Sequence, residues 1–185
     1  NITADLLFYT ILISAAFFLF STTLKELLLR RFNNISQAIA HFGFSLFVLS
    51  ILFNAILSSE TTTNIKVGER FNYKGVEIFF EKIEEKKESN FNSIIGYFKI
   101  TSGQGKIVKL SPAIRIYDQP IMITSEADIK TTLLEDKFLV MNIVKGNEYF
   151  NIRYQVKPFM LWIWISVLII SLSGLTSLFK KKYEK

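Results

Sequence analysis

The chain of 185 residues contains no cysteine and only one histidine, His41. Without thiols there is no disulfide and no thiolate metal site, and redox chemistry carries no information about the compartment. Charge is also missing from three long stretches. No Asp, Glu, Lys or Arg lies between Asp5 and Lys25, between Arg31 and Glu60, or between Lys157 and Lys180. Each gap exceeds the ~18–20 apolar residues that cross ~30 Å of hydrocarbon as a helix. Three membrane spans are therefore expected, over Leu6–Leu24, Ala38–Leu57 and Phe159–Phe179. The segment between the second and third has no histidine, no Gly-rich phosphate loop and no DxD-type metal cluster, so it offers no catalytic constellation.

What remains is a mixed composition. With 50% hydrophobic residues and 21% charged ones, the chain is too apolar for an ordinary soluble domain and too charged for a pure membrane bundle. The net charge of +6 raises the question of nucleic acid, but its distribution argues against it. Lys25, Arg30 and Arg31 follow the first span, and Lys180, Lys181, Lys182 and Lys185 follow the third, whereas residues 60–157 nearly balance their charges. Short basic flanks stay in the cytoplasm. They also contact anionic membrane lipid. The expected organisation is a first transmembrane helix within residues 1–24, a cytoplasmic basic loop at 25–37 and a second helix at 38–57. An extracytoplasmic β-rich barrel or sandwich follows at 60–157, then a third helix at 158–179 and a cytoplasmic basic tail at 180–185. The first residue is Asn rather than Met, and the first apolar run has neither a basic leader nor a small-residue cleavage site. A piece of a longer protein is expected, not a signal peptide.

Inside 60–157 the dominant period is two. Val76, Ile78 and Phe80 share one face of a strand, with Glu77 and Glu81 on the other. Phe150, Ile152, Tyr154 and Val156 alternate with polar neighbours in the second arm of a hairpin whose turn is Gly146-Asn147. "YFKITSGQGKIVKLS" reads as another hairpin, with Gly103 and Gly105 supplying positive φ. "EEKKESNFN" reads as a polar hairpin tip or loop, and "SEADIKTTLLEDK" suggests a short helical turn capped by Ser125. Glu126 and Asp128 are two apart, which on one strand puts both carboxylates on one face. Two carboxylates are few for a hard cation, and a solvated pair is the simpler reading. The tyrosines and phenylalanines recur at strand spacing, as core residues do.

Pro158 opens the third span, where a missing N–H is tolerated. Trp162 and Trp164 follow, either as interface anchors or as a surface for a cofactor or partner. His41 lies about one turn, ~5 Å, inside the second span. Ala38 and Ser45 share its face, with Ala40 and Gly43 close by. An ionisable group in lipid is a functional candidate. Three roles fit it: close helix packing beside small residues, ligation of haem or another metal, or a proton relay. A relay calls for a buried acid or base opposite, and spans one and three offer none. A bis-ligated iron needs a second axial ligand. Met160 is ~25 Å away at the other membrane face, and Met122 and Met141 are in the β-rich segment. That ligand must come from outside this chain.

Three stretches carry a family resemblance. "AHFGFSLFVLSI" resembles the Ala-His-Leu-Gly segment of CcmF, the integral-membrane subunit of the bacterial (system I) cytochrome c haem lyase. "KLSPAIRIYDQP" with "TSEADI" resembles a second family segment, although Ala113 and Ile114 stand where charges are usual. "VKPFMLWIWISVLIISLSGL" is similar to the approach to the family's final helix, with Leu161 in place of Arg. The resemblance covers the family's C-terminal portion and lacks its Trp-rich outer segment and other functional histidines. It implies a multi-pass protein of the bacterial inner membrane with residues 60–157 periplasmic. It also implies a resident haem b with His41 as one axial ligand, the other lying in the remainder of CcmF. The family works with CcmH- and CcmI-type subunits, accepts haem from the chaperone CcmE, and promotes its covalent attachment to apocytochrome c. On that reading Arg115, Glu126, Trp162 and Trp164 are candidates for a partner or haem-edge surface, and this portion alone is not expected to be active. The rival reading is a non-catalytic, membrane-anchored periplasmic β-domain, a binding or assembly module whose histidine merely packs.

Overall fold

The computed structural model describes residues 2–29, 34–103, 105–144, 146 and 148–183, with side chains placed between 7 and 175. The chain forms two units. A helical unit comprises Asn1–Ser58, Leu133–Glu135 and Pro158–Lys185, and a β unit comprises Ser59–Thr132 and Asp136–Lys157. Arg30 and Arg31 of the basic loop, the side chains of the tail lysines and Asn147 of the expected Gly-Asn turn lie outside the described residues.

The helical unit contains α1 (Ile2–Leu28), α2 (Ile35–Leu57) and α3 (Met160–Tyr183). Leu7–Leu28 and Ile35–Leu57 are long and apolar enough to cross a membrane, and α3 is apolar over Met160–Leu175. α2 begins three residues earlier than expected. Asn34 is the reason: its backbone is extended and its Oδ1 accepts from the Ser36 N–H at 3.1 Å, satisfying one of the free donors at the helix start. Ser36 is then tolerated because its hydroxyl donates to the Ser173 carbonyl at 2.5 Å.

Two stripes of small residues hold α2 between its neighbours. Ser36, Gly43 and Ser50 recur every seven positions, are all buried and form one stripe. Seven residues are two turns with ~20° of drift, so the stripe runs along one side of the helix. Toward α3, Ser173 Oγ returns a bond to the Ser36 carbonyl at 2.6 Å. A Cβ on Gly43 would stand 2.9 Å from the side chains of Ile169 and Ile170. On the other side Ser45 and Thr23 of α1 share a buried hydroxyl–hydroxyl bond of 2.9 Å. Lipid tails are as apolar as Leu, so close backbone approach and interhelical hydrogen bonds do what hydrophobic burial does in water.

The β unit is a sandwich. One sheet has the order β1–β10–β9–β8 and the other β2–β3–β4–β6–β7, with β5 also paired to β4. The strands are β1 Ser59–Ile65, β2 Arg70–Tyr73, β3 Val76–Lys87, β4 Phe91–Ser102, β5 Ile107–Leu110, β6 Ala113–Tyr117, β7 Met122–Glu126, β8 Asp128–Thr131, β9 Glu135–Ile143 and β10 Phe150–Pro158. The expected alternation is realised. Ile78 and Phe80 of β3, and Ile152 and Tyr154 of β10, are fully buried, with Val76, Phe150 and Val156 packed at the edge of the same core. Phe80 and Phe98, register partners on β3 and β4, stack with centroids 4.3 Å apart. A bulge between Phe80 and Lys82 then shifts the pairing of β3. Gly96 lets the sheets close: a Cβ there would stand 2.7 Å from Met141 Sδ and 2.8 Å from the Phe98 ring.

Four local expectations need correction. "SEADIKTTLLEDK" forms strands, not a helical turn. Ser125 sits in β7 opposite Ile114, and its hydroxyl donates to Asn142 Oδ1. Cross-strand pairing overrides the helical preference of Glu, Ala, Leu and Lys, a weak prior against tertiary context. Glu126 and Asp128 do not share a face, because β7 and β8 belong to different sheets and the chain crosses between them at Ala127. In the β4–β5 hairpin only Gly105 has positive φ, +75°. Pro158 ends β10 instead of opening α3, and the strand-to-helix switch is made by Phe159 at φ +59°.

On the outer face of the larger sheet, Lys82 and the Tyr97 hydroxyl, at 2.8 Å, both donate to Glu84, and Lys99 pairs with Glu81 at 2.6 Å. The hydrogen bond from Lys82, then that from Tyr97, hold the Glu84 carboxyl below the usual glutamate range. A carboxylate with a depressed folded pKa stabilises above its unfolded value and loses that contribution as pH falls through the folded value. In an NMR titration the Glu84 midpoint is expected below that of an unstructured glutamate and should move up in Lys82→Ala. Because the pair is exposed, the stability change should be small. In the core, Ile152→Ala should cost ~2–5 kcal/mol. Gly96→Val should cost ~1–3 kcal/mol through overpacking. Gly103→Ala, whose nearest neighbour would be at 3.7 Å, should be nearly silent. Denaturant unfolding of the chain in detergent, read from β-unit amide exchange, checks all three.

Candidate functional site

His41 lies six residues into α2, ~9 Å along it. That is deeper than the single turn expected, because the helix starts at Ile35. Its rotation follows from the two stripes. Ser36, Gly43 and Ser50 occupy one side, and Ala38, Ser45 and Leu49 are buried on another. At ~100° per residue, His41 falls between these sides, on the arc that also holds Gln37 (i−4), Phe44 (i+3), Val48 (i+7) and Ile51 (i+10). Gln37, His41, Phe44 and Ile51 are exposed, and Val48 is half-buried. The imidazole therefore looks away from both α1 and α3, and among the described residues no hydrogen bond reaches it.

This placement bears on the three roles read from the sequence. Ser45 is engaged with Thr23, Gly43 receives α3, and Ala38 is buried between helices. They serve helix packing, whereas His41 is exposed. Among the described residues no group of three or more His, Cys, Asp or Glu side chains gathers into a metal site. The imidazole stands as a single ring-nitrogen donor on a face shared with Gln37, Phe44, Val48 and Ile51. That is a donor set and a surface suited to one axial position of a flat, hydrophobic macrocycle. A groove of about 410 Å3 lined by Tyr9, Thr10, Ile13, Ala55 and Ile56 lies elsewhere. Ile56 follows His41 by fifteen positions, ~22 Å along α2.

The tryptophans are at the other end of the helical unit from His41. Gly43 is level with Ile169 and Ile170. Trp162 precedes Ile169 by seven residues, ~10 Å along α3. Its indole N–H donates to the Leu133 carbonyl at 2.7 Å, whereas the Trp164 side is 61% exposed. Around them Asn54 Nδ2 donates to the Pro158 carbonyl at 2.7 Å and the Phe53 and Phe159 rings meet at 5.2 Å. Sequence reading missed Asn54, the one strong polar side chain near the end of α2; its position one turn before the helix end was the available signal.

Arg115 and Glu126 belong to the β unit. They face each other across β6 and β7 at 3.5 Å, both partly exposed. The Arg115 guanidinium also lies over the Phe91 ring at 5.1 Å. A hydrogen bond to Tyr117, with the Glu126 charge behind it, holds the guanidinium more firmly protonated than usual. Asp128 turns instead to Ser111, accepting from its N–H at 2.6 Å. The arrangement is a surface ion pair on the larger sheet.

Comparison with known proteins agrees with this architecture. The family model described as CcmF C-terminal beta-sandwich matches residues 56–158. The chain is 26% identical over 146 residues to the cytochrome c-type biogenesis protein CcmF of Pseudomonas fluorescens, covering 79% of this chain and 22% of that protein. It is 28% identical over 148 residues to the cytochrome c-type biogenesis protein ccl1 of Rhodobacter capsulatus, covering 80% of this chain and 23% of that protein. A solved structure of the "Cytochrome c Heme Lyase CcmF" superposes with a TM-score of 0.61 at 19% identity, over 76% of this chain and 24% of that one. The chain thus spans less than a quarter of the length of these relatives. Its β-sandwich, carried between apolar helices, is the C-terminal part of their fold, and the chain belongs to the CcmF family.

Proposed function

We propose that this chain is the C-terminal portion of a cytochrome c haem lyase and supplies one wall and one axial ligand of a haem b site. The observation that carries the reading is the orientation of His41: a lone imidazole on the one face of α2 that neither α1 nor α3 covers. A ligand pointing out of a three-helix unit is half a site, and its other half belongs to helices outside this chain. When bound, the haem would supply one-electron redox chemistry. The chain's own contributions are separate from that. His41 Nε2 or Nδ1 donates a lone pair, Phe44 and Val48 present apolar surface beside it, and the stripes of Ser36, Gly43 and Ser50 and of Ser45 keep α2 from rotating.

The β unit is read as the periplasmic module at which partner proteins dock. Among the described residues it holds no metal-binding cluster. Its surface carries ordered ion pairs, Arg115–Glu126 and Lys99–Glu81 among them. The partners implied by the family are CcmH- and CcmI-type subunits, the haem chaperone CcmE and apocytochrome c. The membrane is read as the bacterial inner membrane.

In the complete protein, His41→Ala should abolish the reduced haem b spectrum while leaving the protein inserted and folded. His41→Gly should regain the spectrum on addition of imidazole. Gln37→Ala, one turn away, should leave it unchanged. Retention of the spectrum in His41→Ala would defeat the ligand assignment and favour the anchored binding module. For topology, Ile121 is 88% exposed and the chain has no cysteine of its own. Ile121→Cys should react with a membrane-impermeant maleimide from the periplasmic side.

A further inference from the structure

The hairpin between β8 and β9 ends in Thr132-Leu133-Leu134. Leu133–Glu135 cluster with the helices, not with the strands they connect. Two hydrogen bonds cause this. The Trp162 indole N–H donates to the Leu133 carbonyl at 2.7 Å, and the Phe159 N–H donates to the Leu134 carbonyl at 2.8 Å. The tip is therefore clamped at the level of the first turn of α3. Yet both leucine side chains are turned outward, 68% and 65% exposed. In the same unit, Trp164 is also exposed, as are Ile56 and Leu57 at the end of α2.

We propose that Leu133 and Leu134 form a membrane-inserting anchor, seated in the acyl-chain boundary of the leaflet at the N-terminal end of α3. Three facts on different levels converge on lipid as the occupant. The height of the tip is set by bonds to the residues where α3 enters the bilayer. Its side chains are the branched apolar type that partitions there, and tryptophan sits beside them as it does at membrane interfaces. The two main-chain carbonyls are already satisfied within the protein, which immersion in a water-poor layer requires. An exposed pair of large apolar residues held rigidly at that height gains by leaving water.

The test uses the full chain in lipid nanodiscs, with single cysteines carrying an environment-sensitive NBD label. Leu134→Cys is the probe. Ile121→Cys is the aqueous control, and Leu168→Cys, exposed in the apolar part of α3, is the lipid control. The Leu134 label should show blue-shifted emission and quenching by shallow doxyl lipids, with iodide quenching several-fold weaker than at Ile121. Trp162→Phe, which loses the indole donor, should return part of the iodide quenching. Iodide quenching equal to that at Ile121 would overturn the anchor, as would shielding from both iodide and doxyl lipid, which would mean a protein cover. Failure of lipid quenching at Leu168 would instead remove α3 as a span, and the anchor with it.

Discussion

The reciprocal bonds between Ser36 and Ser173, together with the close approach of α3 at Gly43, set the rotation of α2, and the direction in which His41 faces depends on that rotation. Hydrophobic association has no driving force between helices in lipid, so the interface is specified by small residues and buried hydroxyls. A bulky residue at Gly43 would separate the helices at the contact with Ile169 and Ile170. With one side of α2 held by α3 and another by Thr23 of α1, the arc left over is the one that carries His41. A rotation of about 100°, one residue's worth, would bury the imidazole or turn it toward a neighbour.

The β unit solves a different problem. Its core is built by period-two alternation on two facing sheets, as in a water-soluble sandwich. β1 and β10 pair antiparallel with Ser59 opposite Val156, so the two strands that continue into α2 and α3 leave the sheet side by side. The switch from strand to helix is abrupt. Pro158 cannot donate from its nitrogen, Phe159 takes a left-handed conformation, and Asn54 Nδ2 donates to the half-buried Pro158 carbonyl. A buried carbonyl left without that donor would be costly in a water-poor setting.

Several features were legible from residues alone. The three uncharged stretches marked the helices because ionised side chains are expelled from hydrocarbon. The hairpin faces of β3 and β10 were legible because strand side chains alternate strictly. The failures were equally physical. "SEADIKTTLLEDK" has helix-forming residues, but two short strands on different sheets claim its backbone groups. α2 starts at Ile35, three residues before the expected span, and the carbonyl that satisfies the Ser36 hydroxyl is 137 residues away.

By itself the sequence determined that this is a membrane-anchored β-rich protein with one imidazole near a helix end, since charge exclusion and side-chain period are local properties. The direction in which that imidazole points was decided only by tertiary structure, because it depends on which faces of α2 meet distant segments. The same holds for the clamped Leu133-Leu134 tip. Its carbonyl partners, Trp162 and Phe159, lie 29 and 25 positions further along the chain, and only folding brings those groups together.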